Sequence, residues 1–199
     1  RSGRRVLTVG TDCAIGKKYT ALALHAAFEA AGLNATFRAT GQTGIIIAGE
    51  GIPMDAVVAD FVAGAAELLS PDNAPDHWDV IEGQGSLFHP AYSGVSLGLL
   101  HGSQPDAIVV CHEAGRTHVS GWEDFELPSI AKTIALSERL ARRTNPDARV
   151  VGLSINMSSL AESDRADYLA RMRKQHGMPV IDPIADGCDA LLPELVSSA

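Results

Sequence analysis

Apolar positions along this chain fall into short runs of β-branched residues separated by longer stretches with helical spacing. Residues 4–10 read as a strand, 17–31 as an Ala/Leu-rich helix stopped by Gly32, and 34–40 as a second strand. Gly41-Gln42-Thr43-Gly44 reads as a break, followed by the short apolar run Ile45-Ile46-Ile47. Residues 53–69 read as one helix with Pro53 in its first turn, and 78–82 as an apolar strand. Residues 93–101 are expected to be helical and 106–112 to form a strand buried on both faces. The polar stretch 113–126 reads as a loop long enough to carry function. Helices at 127–143 and 160–176, strands at 149–156 and 178–182, and a short helix at 189–196 complete the pattern. Strands separated by helices predict an α/β fold, a parallel sheet flanked by helices and joined by right-handed crossovers. Ligands in such folds bind at the carboxyl ends of the strands.

The first strand end organises the rest. Gly10-Thr11-Asp12-Cys13-Ala14-Ile15-Gly16-Lys17-Lys18-Tyr19 joins a β-branched strand to a helix, the context of a phosphate-cradling loop. Backbone N–H groups of such a loop, backed by a helix N-terminus, bind anions. The strict pattern G-x-x-x-x-G-K-[ST] is broken twice. Thr11 stands at the first glycine, with Gly10 one residue early, and Lys18 stands where a hydroxyl ligates Mg²⁺. Thr20 is two residues too late for that role, unless it or water completes a metal site while Lys18 points to solvent. The loop thus predicts phosphate binding without a metal, and the whole chain a P-loop NTPase-like three-layer sandwich.

Composition narrows the function classes. With 199 residues, 46% of them hydrophobic, the chain suffices for one domain with a real core. Sixteen Lys and Arg against 24 Asp and Glu give a net charge of −8, so no general basic surface invites nucleic acid or an anionic membrane. Cys13, Cys111 and Cys188 are too few and too scattered for a disulfide framework, and point to a reducing cytoplasm. No apolar run reaches membrane-span length. The chain opens at Arg1 and enters its first strand at once, which suggests a C-terminal domain, residues 1–199, whose N-terminal partner domain is absent.

Polar residues recur at the other strand ends. Glu82 closes an apolar strand and is followed by Gly83-Gln84-Gly85. A carboxylate there suits metal binding or proton acceptance; as a structural residue it would cap a helix or pair with a cation. His112 and Arg116 suit anion binding or proton transfer, or form an ordinary polar loop. His112 to His118 lacks the H-E-x-x-H spacing, so no zinc site is expected. Cys13 sits by a helix N-terminus, where a thiol is activated, although a small tolerated residue is the simpler reading. Asp55 and Asp60 fall on the helix after Pro53, and one of them is a candidate to face a ligand.

Two families share these motifs. The Gly10–Lys17 loop and Glu82-Gly83-x-Gly85 resemble dethiobiotin synthetase and its relatives, which use ATP and Mg²⁺; Lys18 departs from their hydroxyl. A longer ordered set adds Gly41-Gln42-Thr43-Gly44, Gly51-Ile52-Pro53-Met54-Asp55-Ala56-Val57, Glu82-Gly83-Gln84-Gly85-Ser86-Leu87, His89-Pro90 and His112-Glu113-Ala114-Gly115-Arg116. That set resembles the P-loop domain of a bacterial family that includes D-glutamate N-acetyltransferases. The resemblance implies an acetyl-CoA-dependent enzyme of D-amino acid catabolism that acetylates an amino acid, D-glutamate in the first instance; a homo-oligomer is expected. It implies cofactor contacts from Gly10, Thr11, Asp12, Cys13, Ala14, Ile15, Gly16, Lys17, Lys18 and Tyr19, with two lysines suited to the phosphates of coenzyme A. Glu82 and His112 are the candidates for the base. Gln84, Ser86, His89, Arg116 and His118 are the candidates for substrate binding, with Arg116 and His118 on its carboxylates and backbone N–H groups near residues 83–86 on the oxyanion. The competing readings are an ATP/Mg²⁺-dependent ligase or kinase and a non-catalytic nucleotide-sensing domain.

Overall fold

The computed structural model describes residues 1–196. Six parallel strands lie in the order β2 (Ala35–Arg38), β3 (Trp78–Ile81), β1 (Arg4–Gly10), β4 (Ala107–Glu113), β7 (Arg149–Asn156) and β8 (Val180–Ile181). Strand alternation splits the core in two. Val6, Val80 and Val109 face α1 (Lys17–Ala30) and α7 (Leu192–Val196), where Phe28, Leu24 and Leu195 are buried. Leu7, Ile81, Ile108 and Val110 face α3 (Val62–Leu69), α4 (Ser93–Ser103), α5 (Ile130–Ala141) and α6 (Glu162–His176). The result is the expected three-layer sandwich, with β1 and its following loop near the middle of the sheet.

Three segments differ from the sequence reading. The 41–47 stretch is not a break before an apolar run but a helix, α2 (Gln42–Ala48), with Gly41 as its N-cap. Residues 53–69 are not one helix. Val57 and Val58 adopt extended backbone between two 3₁₀ turns, Met54–Ala56 and Ala59–Phe61, and the α-helix starts only at Val62; paired β-branched residues favour that extended geometry. The 113–126 loop contains an antiparallel hairpin, β5 (His118–Val119) and β6 (Trp122–Glu126), turning through Gly121 at φ 77°. Residues of β6 are all exposed, so the alternation that marks a strand is missing there.

Helices α3 and α4 approach closely because glycine lines the contact. A Cβ at Gly98 would fall 2.6 Å from Val62 Cγ1, and one at Gly102 2.1 Å from the carbonyl oxygen of Ala63. Gly94, one turn earlier on α4, meets nothing within 4 Å. Gly102→Ala is therefore expected to destabilise the fold by about 1–3 kcal/mol, because backbone cannot yield as a side chain can. Gly94→Ala should be neutral or stabilising by up to about 1 kcal/mol. Chemical denaturation of the two variants checks the difference; equal midpoints would contradict the close packing.

Candidate functional site

The phosphate loop is folded by contacts beneath it. A Cβ at Gly10 would sit 2.5 Å from Ile15 Cδ1, so the early glycine makes room for Ile15 to fold back and bury. Thr11 and Asp12 are also buried. Thr11 N–H bonds the Cys111 carbonyl, its carbonyl accepts Ser86 Oγ at 3.1 Å, and its hydroxyl meets His112 Nδ1 at 3.0 Å. Asp12 Oδ1 accepts Cys13 N–H at 2.7 Å, and Oδ2 accepts Arg116 Nη1 at 2.9 Å and Ser120 N–H at 2.8 Å. Arg116 also reaches the Cys13 carbonyl and Glu113 Oε2. Ala14 takes φ 52°, unusual without glycine, at the tip of the loop. Gly16 at φ 109° opens α1 with no side-chain cap, leaving the first helical N–H groups for an anion.

Cys13 through Tyr19 line a cleft of about 650 Å³, whereas Gly10, Thr11 and Asp12 lie below it. Lys17 is buried, donates to the Asp12 carbonyl at 2.7 Å, and has its pKa lowered chiefly by that burial. Lys18 Nζ lies 5.3 Å from the centre of the exposed Tyr19 ring, at the mouth. Thr20 turns away: its hydroxyl bonds the Gly16 carbonyl and Ser154 Oγ in the interior. The hydroxyl missing at Lys18 is thus not replaced by Thr20.

Glu82, Gln84 and Asp55 form the opposite wall of this cleft. Glu82 Oε2 accepts the N–H groups of Thr40 at 2.9 Å and Gly41 at 3.0 Å, so the carboxylate caps α2 from another strand end. A Cβ at Gly44 would come 2.2 Å from Glu82 Oε2, so this glycine lets the helix seat on the acid. Gly83 runs so close to β1 that a Cβ would overlap the Thr8 carbonyl at 1.6 Å. Gln84 Nε2 donates to Thr40 Oγ1, whose hydroxyl donates to the Glu82 carbonyl.

His112, Arg116 and His118 belong to a second cleft, of about 550 Å³, on the other side of the phosphate loop. The two candidate bases therefore face different clefts. Burial, with Arg116 adding to it, pushes His112 down to about 4. His118 is exposed, with Nδ1 next to Thr117 Oγ1 at 2.9 Å. Ser86 and His89 are buried rather than lining either cleft. His89 Nδ1 accepts from the N–H groups of Ala91 and Tyr92 as α4 begins, which leaves the ring proton on Nε2.

One group of potential metal ligands occurs among the described residues. Asp12, Cys13 and His89 bring ligand atoms within 4.8 Å of one another. The donor set does not fit a cation. Both Asp12 oxygens are taken by N–H donors, one of them the charged Arg116 guanidinium, and His89 spends Nδ1 on backbone. Cys13 is not activated either, since burial raises its thiol above the ordinary value. The cap expected of Glu82 as a structural residue is found, but neither the helix it holds nor the Asp12 anchor is visible in sequence, because each joins residues more than 40 positions apart.

A family model described as a domain of unknown function, DUF1611 C-terminal P-loop domain, matches residues 1–192. A protein of Tritonibacter scottomollicae named D-glutamate N-acetyltransferase is 51% identical over 99% of this chain, and the chain spans 59% of that protein. The crystal structure of a DUF1611 family protein from Anabaena variabilis superposes with a TM-score of 0.91 at 40% identity, over 98% of this chain and 57% of that one. Cobyrinic acid a,c-diamide synthase from Mycobacterium smegmatis, solved with ADP and magnesium, gives 0.55 at 14% identity over 99% and 97% of the two chains, a likeness of fold.

The depressed His112 generates a pH prediction for stability. Between 6.5 and about 4 the unfolded chain takes up a proton that the folded chain refuses, so stability falls as pH drops through that window. His112→Asn should flatten this part of the pH dependence, measured by denaturation at pH 7, 5.5 and 4.5. An unchanged slope would mean that His112 titrates normally in the fold.

Proposed function

The chain belongs to the DUF1611 C-terminal P-loop domain family, and on that premise we propose that it is the phosphate-binding domain of an acetyl-CoA-dependent N-acetyltransferase acting on D-glutamate. The observation that carries the cofactor is the loop mouth. Uncapped N–H groups after Gly16, buried Lys17 and Lys18 converge on one cleft, while Thr20 is turned into the core. Phosphates of coenzyme A meet two ammonium groups and a helix N-terminus there without requiring a metal. The activity itself is taken from the name carried by the Tritonibacter relative. Membership of D-amino acid catabolism follows from that substrate. A cytoplasmic location is part of the same proposal, supported by three unpaired thiols, Cys13, Cys111 and Cys188. No described helix is long and apolar enough to cross a membrane.

In the proposed reaction the amine nitrogen attacks the thioester carbonyl carbon. The C–N bond forms, the C–S bond breaks, and the amine proton passes to a base and on to the leaving thiolate. Glu82 and His112 are the proposed acceptors. Glu82 has one carboxylate oxygen committed to Thr40 and Gly41 N–H. His112 keeps Nε2 free of the contact that Nδ1 makes with Thr11. Of the N–H groups from Gly83 to Ser86, that of Gly83 is held by Thr8 Oγ1 at 2.9 Å, and those of Gln84 to Ser86 are proposed to steady the oxyanion.

Lys17→Ala is expected to weaken coenzyme A binding by about 1.5–3 kcal/mol, read by calorimetry; unchanged affinity for both coenzyme A and ATP would remove the phosphate-loop reading. Acetyl transfer should persist in excess EDTA. Loss on chelation, restored by Mg²⁺, would favour the ATP-dependent ligase or kinase. Glu82→Gln and His112→Asn separate the bases: the true acceptor's variant should lose roughly 10²–10⁴-fold in kcat. If His112 is the base, the acidic limb of kcat/KM lies near pH 4 and disappears in His112→Asn. Near wild-type kcat in Glu82→Gln would make Glu82 a helix cap and no more.

A further inference from the structure

The cleft on the His112 side contains groups that the reaction above does not use. Its wall combines one carboxylate, Glu126 on β6, with His112, Arg116, His118, Tyr168 and His176. His176 closes α6, and its Nε2 is buried without a hydrogen-bond partner. A buried polar atom left unpaired costs free energy, and a turn of the half-buried His176 ring that brings Nε2 to a ligand acceptor in the cleft would remove that cost. Of the five N–H donors of Arg116, three are spent on Asp12, Cys13 and Glu113, so Nε and one Nη2 hydrogen remain. About 550 Å³ is ample for one amino acid and the end of a thioester arm.

We propose that this cleft is the acceptor subsite and that it takes an α-amino dicarboxylate: Glu126 receives the ammonium, while His176, His118 and the remaining Arg116 donors receive the carboxylates. This assignment rests on the acetyl-transfer reading with His112, not Glu82, as the base, and adds Glu126 and His176 as specificity-determining residues. The charge pattern is the argument. One acid among several N–H donors matches a ligand with one ammonium and two carboxylates better than it matches a phosphate or a neutral amine. His112 stands at the inner end of the cleft, tied to the phosphate loop through Thr11, so an amine held by Glu126 would share a cleft with that base.

The test uses the full natural chain. Imidazole resonances are followed by NMR while D-glutamate, and separately glutarate, is added, and steady-state kinetics are measured for wild type, His176→Gln and Glu126→Gln. The expected result is a saturable shift of the His176 and His112 signals with D-glutamate. His176→Gln should raise the KM for D-glutamate roughly tenfold or more, the factor for a lost hydrogen bond to a charged group, with the KM for acetyl-CoA unchanged. Glu126→Gln should weaken D-glutamate but not glutarate, which has no ammonium. No imidazole shift at saturating D-glutamate, or an unchanged KM in His176→Gln, overturns the assignment. If wild type shows the shifts but forms no acetylated product, the subsite stands and the acetyl-transfer reading falls.

Discussion

The geometry of this site depends on one buried carboxylate. Asp12 is fully buried, yet three N–H donors reach its two oxygens, and the Arg116 guanidinium supplies the opposite charge. A carboxylate taken out of water survives only with such a complement. The complement is drawn from two strand ends: Cys13 from the phosphate loop, Arg116 and Ser120 from the segment after β4. Satisfying Asp12 therefore fixes the phosphate loop against the hairpin-bearing segment, and with it the boundary between the two clefts. Arg116, expected as a substrate clamp, spends one donor on Asp12 and one on the Cys13 carbonyl of the loop, with a third on Glu113.

Glu82 repeats the logic on the other side. Helix α2 exposes Ile46 and Ile47, so its burial is slight and its apolar residues do not explain its position. What holds its start is the Glu82 carboxylate on Thr40 and Gly41 N–H, with Gly44 permitting the approach. A cap supplied by a strand end instead of by the helix's own N-cap residue ties α2 to the wall of the phosphate cleft. Any ligand that competes for Glu82 must also reckon with the helix it holds.

The sequence showed the strands and helices wherever burial imposed a period. Strands β1 and β7 appear with the boundaries expected, because continuous apolar runs bury on both faces. The misread segments lack that imprint. Three isoleucines at 45–47 look like a strand fragment but are helical, since the determinant is a carboxylate some 40 residues away. Trp122 and Phe125 are exposed on β6 and pack edge-on against each other at 5.8 Å, so no alternation announces the hairpin. The phosphate loop itself was legible because its chemistry is local: Gly10 to Lys17 are contiguous. Grouping His112 with His118 and His176, but apart from Glu82, required the strand order β3-β1-β4.

That order carries a chemical consequence. Because β1 lies between β3 and β4, the phosphate loop forms a ridge between the Glu82 cleft and the His112 cleft. Under the proposed reaction, a small nucleotide gripped at Lys17 would stay in the first cleft. A ligand whose reactive end lies far from its phosphates is the one that can hold the loop and still reach across the ridge. Coenzyme A has that form, with its thioester at the end of a long flexible arm, whereas the γ-phosphate of ATP would sit beside the loop that binds it. Under the proposal that the acceptor sits in the His112 cleft, the separation of the clefts favours a ligand with such a reach, and the lysine at position 18 favours its phosphates by an independent route.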